Sequence, residues 1–259
     1  MQLFQVDAFT DQLFQGNPAA VVPLDTWPDD EVLRRIAAEN NLSETAFLVP
    51  SREADYHLRW FTPTNEVNLC GHATLASAWV LFHRLDFPYN RIHFTTASGP
   101  LEVMREGEAI SMALPCWPPV AVEPWPGLLE ALGLEQARAV LEARDTLVVL
   151  DDEASVRAVQ PDMRALQALD LFGVTLTAPG DEADVVYRFF APSQGVDEDP
   201  VTGSACSSLA PYWRERLGRE ELDLHQVSPR GGRLACTYGP ERVVVRGRAV
   251  CYLEGEINL

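Results

Sequence analysis

The chain has no CxxC pair. Its five cysteines (Cys70, Cys116, Cys206, Cys236 and Cys251) are odd in number and widely spaced, which excludes a disulfide framework and the usual zinc-ribbon pattern. The five histidines (57, 72, 83, 93 and 225) lack HxxxH spacing or a carboxylate partner of recognised type, so no metal is expected. Basic residues are scarce. Twenty stand against 38 acids, giving a net charge of −18, and such a surface repels phosphate backbones, so no nucleic-acid partner is expected. No apolar stretch is long enough to span a bilayer, so no membrane partner is expected either. The N-terminus lacks the basic start and apolar run of a signal peptide. These absences together predict a soluble acidic protein of the reducing cytoplasm.

What the chain does contain is the same passage twice. Arg59-Trp-Phe-Thr-Pro63 returns as Arg188-Phe-Phe-Ala-Pro192, and Val67 as Val196, at a constant spacing of 129 residues (59 to 188, 67 to 196). Three extra residues then enter, and Gly71-His72-Ala73 matches Gly203-Ser204-Ala205 at a spacing of 132 (71 to 203). Gly99, Leu101, Val103, Ile110 and Met112 fall on Gly232, Leu234, Cys236, Val243 and Val245 at 133 (99 to 232). A repeat of half the chain is too long for a solenoid unit and implies two halves of one fold.

Alternating apolar residues predict strands at 3–9, 19–23, 43–49, 57–61, 91–96, 101–105 and 109–114 in the first half. A helix capped at Asp29 or Asp30 runs to about Glu39, and a second, apolar on all sides, runs from Gly71 to Phe82. The proline-rich stretches Pro115–Pro119 and Pro124–Gly127 mark a crossover. Beyond it the pattern predicts helices near 128–134, at 162–169 and from Gly203, with strands at 139–143, 146–150, 173–177, 185–190, 233–238 and 242–246. A last stretch, 249–253, returns to either half. Strands around one buried helix, twice over, predict an α+β fold: residues 1–114 and residues 115–248, with an active-site cleft between them and the last strand (249–259) open to joining the first half.

Glu44 opens a strand apolar on both faces. A carboxylate there is costly to desolvate and suits a general acid or base, unless it sits at a frayed strand end in water. Gly71 and Gly203 stand at helix entries, where free N–H groups and the helix dipole favour an anion and glycine permits close approach. Tight helix packing is the alternative. His72 and its counterpart Ser204 are polar groups one residue further on. Cys70 and His72 form a poor nucleophilic dyad, since residues two apart on a helix do not face each other. The acids Asp197, Glu198 and Asp199 suit a solvated loop, with Asp199 fixed near the second helix mouth by Pro200. Arg230 and Arg233 suit either an anion clamp or a plain hairpin turn.

At DAFTDQLFQGNPAAVV (7–22), NNLSETAF (40–47), RWFTPTNEVNLCGHATLA (59–76), TTASGPLEV (95–103) and RFFAPSQGVDEDPVTGSA (188–205), the chain resembles the PhzF-like family, named for the phenazine-biosynthesis isomerase. The resemblance covers almost the full length. It implies a diaminopimelate epimerase-like fold of two pseudo-symmetric domains, each a mixed β-sheet wrapped around a central helix. It implies that Glu44 is the acid/base residue and that His72, Asp199 and Ser204 contact the substrate. Gly71 and Gly203 would supply helix-end amides, and Asn17 of the GNP turn would line the site.

The chemistry implied is proton transfer on a small carboxylate, a double-bond shift or an epimerisation, with no cofactor and no metal, in a homodimer. Phenazine-type members carry a Gln-Gly…Gly-Arg loop where this chain has Gln226-Val-Ser-Pro-Arg-Gly-Gly-Arg233, so phenazine synthesis itself is not expected. Epimerase relatives place a cysteine at each helix mouth. Here Cys70 is matched by Thr202, which favours one working carboxylate over a two-thiol racemase. An amino-acid racemase using Glu44 with Cys70 or Asp199, and a catalytically silent protein that binds a small acid or a partner, are the alternatives.

Overall fold

Short apolar runs build the strands, some alternating, as in Arg91–Thr96, and others buried throughout, as in Val185–Ala191, while two longer buried runs become the central helices. A computed structural model describes residues 1–259. The chain divides into two compact units, Met1–Ala113 with Arg246–Leu259, and Leu114–Val245.

The first unit contains β1 (Gln2–Ala8), β2 (Asn17–Pro23), α1 (Asp30–Asn40), β3 (Glu44–Pro50), β4 (Tyr56–Phe61), β5 (Glu66–Val67), α2 (Gly71–His83), β6 (Arg91–Thr96), β7 (Gly99–Glu106) and β8 (Ala109–Pro115). The C-terminal strand Ala249–Glu256 pairs antiparallel with β1, so the stretch that the sequence left open belongs to this unit. From that edge the sheet runs through β1, β2, β3, β4, β6, β7 and β8. The pairs β2–β3 and β4–β6 are parallel and the others antiparallel. Helix α1 buries Leu33, Ile36 and Ala37, the i, i+3, i+4 stripe that the sequence predicts, against Val22, Phe47 and Phe61. Full burial of a Leu or Ile side chain contributes about 1.5–3 kcal/mol. Asn41 ends the helix in the left-handed region, its N–H donating to the Ala37 carbonyl.

Helix α2 is buried on almost every side, and its hydroxyls must therefore be satisfied from within. Thr74 Oγ1 donates to the Cys70 carbonyl at 2.6 Å, and Ser77 Oγ to the Ala73 carbonyl at 2.7 Å.

The second unit repeats this plan. It contains β9 (Val120–Ala121), α3 (Leu128–Ala131), β10 (Ala139–Glu142), β11 (Thr146–Val149), α4 (Glu153–Ala158), α5 (Met163–Ala168), β12 (Val174–Pro179), β13 (Val185–Ala191), β14 (Val196–Asp199), α6 (Cys206–Leu217), β15 (Glu221–Gln226), β16 (Gly232–Thr237) and β17 (Arg242–Gly247). The order β10, β11, β12, β13, β15, β16 matches β1, β2, β3, β4, β6, β7, with parallel pairs at the same two places, β11–β12 and β13–β15.

Several elements depart from the sequence reading: strands β15, β5 and β9 were not expected, and three further differences bear on the site. Helix α4 was not expected: it is six residues long, held by an Asp152 side-chain cap, and buries only Val156. The second central helix begins at Cys206, because a 3-10 turn occupies Gly203–Ala205. Strand β14 stands where the acidic loop was expected. Glu198 in it forks onto Arg188, with Nε to Oε1 at 2.7 Å and Nη2 to Oε2 at 2.9 Å.

That ion pair also corrects the repeat. Arg59 makes the same fork to Glu66, at 2.7 and 2.8 Å. Trp60 pairs with Val67 and Phe189 with Asp199, so Glu66 corresponds to Glu198 and Val67 to Asp199. The three extra residues enter before this strand, in the turn containing Pro192–Gln194, rather than after Val196.

Candidate active site

Glu44 is the first residue of β3, registered against Ala19 of β2. Strand alternation puts Asn17 on the same face as Ala19, and Asn17 is fully buried. The turn that delivers it requires Gly16, whose φ is +69° and where an added Cβ would lie 2.3 Å from the Ala8 carbonyl oxygen. The Glu44 side chain is largely covered, at 16% exposure.

His72, in the first turn of α2, is buried, and its Nε2 lies 3.1 Å from Glu44 Oε2. Oε2 is buried and has no assigned hydrogen-bond partner, so the contact is an ion pair. Cys70 completes the cluster, with Sγ 3.5 Å from His72 Nδ1.

The sequence argument against a Cys70–His72 contact is thus corrected. Cys70 is the N-cap, with extended backbone (φ −142°, ψ 108°), so the helical spacing rule does not apply to it. The thiol is nevertheless no ready nucleophile. Burial, and then the Glu44 carboxylate, push its pKa up to about 11, against the opposing pull of His72.

Burial alone would push His72 down. The neighbouring Cys70 and Glu44 outweigh it and hold the ring well above its usual value of 6.5. Of the two neighbours Cys70 acts more strongly, and Glu44 second. The folded-state pKa thus exceeds the unfolded one. The stabilisation from this pair is complete below about 6.5 and is lost as pH rises through the folded value. NMR titration of the ring should show His72 protonated above pH 6.5, and Glu44→Gln should lower its midpoint. An unchanged midpoint would remove Glu44 as the partner.

The donor atoms of Glu44, Cys70 and His72 lie within 4.8 Å of one another, a cluster that a divalent ion could bridge. Sequence spacing missed it because Glu44 comes from a distant strand. Metal binding here would have to strip protons from both Cys70 and His72.

The second helix mouth is built differently. Thr202 Oγ1 donates to Asp199 Oδ2, and Gln226, fully buried, accepts from the Thr202 N–H at 2.6 Å and donates to the Asp199 carbonyl. Ser228 Oγ donates to the Pro200 carbonyl at 2.7 Å. These bonds pin the Asp199–Thr202 loop ahead of buried Gly203. Ser204 Oγ accepts from Arg144 Nη2 at 3.0 Å. Arg233 pairs with Glu182 at 2.9 Å, so it is not the open anion clamp that the sequence allowed.

Strand register extends the repeat to Glu44. Phe47 lies opposite Arg59 and Leu176 opposite Arg188, so the counterpart of Glu44, three residues back, is Gly173. A Cβ at Gly173 would sit 2.5 Å from the Phe189 ring, so this place has no room for an acid. The first unit therefore brings together Glu44, Cys70 and His72, and the second brings together Asp199 with Thr202 and Ser204 with Arg144.

A family model described as "Phenazine biosynthesis-like protein" matches residues 6–255. The chain belongs to this family. It is 54% identical to an uncharacterised isomerase of Pseudomonas aeruginosa, over 100% of this chain and 99% of that protein. A crystal structure of a PhzF-family phenazine biosynthesis protein from Enterococcus faecalis is 45% identical, with a TM-score of 0.96 and coverage of 100% of this chain and 99% of that one. A putative PhzC/PhzF protein from Clostridium difficile is 40% identical, with a TM-score of 0.94 and full coverage of both chains. The α+β architecture of the PhzF-like family, of diaminopimelate epimerase-like type, is the one the sequence predicts. Within this PhzF-like frame, sequence reasoning passed over Arg144 and named Gln226 only as the start of a loop, since their partners lie on other elements. It also set aside the Cys70–His72 contact.

Proposed function

We propose that this PhzF-like protein is an isomerase that moves a proton between carbons of a small carboxylate metabolite, with Glu44 as the general acid/base. The observation that carries this reading is the buried Glu44 Oε2, which has no hydrogen bond and lies 3.1 Å from His72 Nε2. A carboxylate oxygen shielded from water and left an open lone pair is suited to accept a proton from a substrate C–H. In the proposed step Glu44 takes that proton, and the C–H electron pair enters the adjacent π system. Glu44 then returns the proton to another carbon, shifting the double bond. His72, 3.1 Å away, steadies the carboxylate. Family membership and the isomerase names of the relatives support the reaction class. The chain contains no lysine, so no Schiff base can form on an ε-amino group.

In the same reading Gly71 and Gly203 offer backbone amides to the substrate, and Asp199 and Ser204 contact it. Packing gives no reason for glycine at position 71: an added Cβ would meet only Met112 Sδ, at 3.9 Å. Gly71→Ala is therefore expected to leave thermal stability unchanged while turnover falls by about 100-fold, as the methyl displaces the substrate. A loss of stability in proportion to activity would return Gly71 to a packing role.

The test of the function is solvent-deuterium incorporation into a panel of carboxylates, followed by NMR. An isomerase exchanges a C–H and converts one constitutional isomer to another. An amino-acid racemase exchanges a C–H and loses optical rotation. Absence of exchange across the panel would favour a protein that only binds small acids. The raised pKa of Cys70 and the threonine at its repeat position weigh against the two-acid racemase.

A further inference from the structure

The proline-rich crossover and the loop between β10 and β11 play no part in the proton transfer, yet they build a charged site of their own. The Arg144 guanidinium lies between two aromatic rings, 4.5 Å from the centroid of Trp117 and 4.5 Å from that of Phe172. Trp117 is the tryptophan of the Pro115–Pro119 stretch, held by its N–H on the Ser207 carbonyl at 2.8 Å. Phe172 directly precedes Gly173, the register counterpart of Glu44. From this sandwich Nη2 reaches Ser204 Oγ at 3.0 Å.

We propose that Arg144 is a positioning and specificity-determining residue, which makes Ser204 a hydrogen-bond donor toward a substrate carboxylate and supplies the positive charge that selects an anion there. The inference rests on the reading above that the substrate carries a carboxylate.

Three observations carry it. A serine hydroxyl has one proton, and a guanidinium can only donate. With Arg144 filling an Oγ lone pair, the Ser204 proton is turned to some other acceptor. Second, Arg144 Nε is buried without a hydrogen bond, although the Asp145 carboxylate lies 3.5 Å away, because that ion pair is poorly aligned. Asp145 is 1% exposed, and its Oδ1 is likewise buried without a hydrogen bond. Asp145 Oδ2 is instead taken by the Thr175 hydroxyl, which donates to it at 2.9 Å, and burial pushes Asp145 upward against the pull of Arg144. Third, the aromatic sandwich fixes the plane of the guanidinium, which favours a cation held in one orientation. The repeat thereby carries two chemistries. The polar residue at the first helix mouth, His72, meets an acid; its counterpart Ser204 meets a base.

The experiment is an NMR binding titration of benzoate and succinate, with benzamide and succinamide as neutral counterparts. It compares wild type, Arg144→Gln, Arg144→Lys and Ser204→Ala, each checked for folding by circular dichroism. Arg144→Gln and Ser204→Ala should each weaken the carboxylates by about tenfold or more and leave the amides unchanged. Arg144→Lys should recover part of the loss. The double variant Arg144→Gln/Ser204→Ala should bind no worse than Arg144→Gln alone. Equal weakening of acids and amides, unchanged carboxylate binding in Arg144→Gln, or no carboxylate binding by wild type would each overturn the inference. Deuterium exchange separates it from the acid/base reading. Exchange lost in Glu44→Gln with carboxylate binding untouched by Arg144→Gln refutes the anion seat alone. Selective carboxylate binding without exchange upholds the seat and refutes the acid/base role.

Discussion

Glu44→Gln is expected to reduce solvent-deuterium incorporation into the substrate by about 10²–10⁴-fold, the usual contribution of a positioned general acid or base. Glutamine preserves the shape of the side chain but cannot take a proton from carbon. The variant should fold normally and should still bind carboxylates, since its charge is not the one proposed to hold them. Cys70→Ser is the informative companion. A thiol pushed up to about 11 is not ionised at neutral pH, so exchange should survive its replacement. Retained exchange in Glu44→Gln would remove Glu44 from the mechanism. Exchange lost in Cys70→Ser, with a loss of optical rotation in wild type, would point to a two-acid racemase.

Glu198→Gln should produce the largest loss of stability. Arg188 and Glu198 are 9% and 16% exposed at the side chain and form a bidentate pair, and Arg188 Nη1 also donates to the Val159 carbonyl at 2.7 Å. Removing the carboxylate charge leaves a buried guanidinium without its counter-ion, which costs about 3–5 kcal/mol. In a protein of this size that is a fall in Tm on the order of 10 °C, read by calorimetry. The counterpart Glu66→Gln should cost less. Glu66 is 35% exposed, and Arg59 keeps a second partner in Asp30 at 2.8 Å. Equal effects at the two positions would mean that burial is not what sets the cost. The same substitution bears on the candidate site, because Asp199 is the last residue of β14.

Much of this was legible beforehand. Most strands of both halves and the all-round burial of α2 follow from the pattern of apolar residues, a signal carried by neighbours in sequence, whereas β15 was not expected. The glycines at the helix entries and the family motifs singled out Glu44, His72, Asp199 and Ser204. Short elements were less legible. Helix α4 buries one side chain, and β14 carries Asp197, Glu198 and Asp199, three acids that read as solvated until Arg188 is seen beside them.

By itself the sequence determined that the protein is a duplicated α+β fold, and it named polar residues at two glycine turns as candidates. Tertiary structure alone decided which of them meet. Glu44 reaches His72 because β3 starts beside the mouth of α2, and Cys70 joins them because the N-cap is extended rather than helical. Register alone shows that Glu44 corresponds to Gly173 in the repeat and that Val67, not an acid, matches Asp199. The reason is physical. Periodicity reports which face of an element is buried, whereas contact between side chains from distant strands depends on register and backbone direction, which burial pattern alone does not specify.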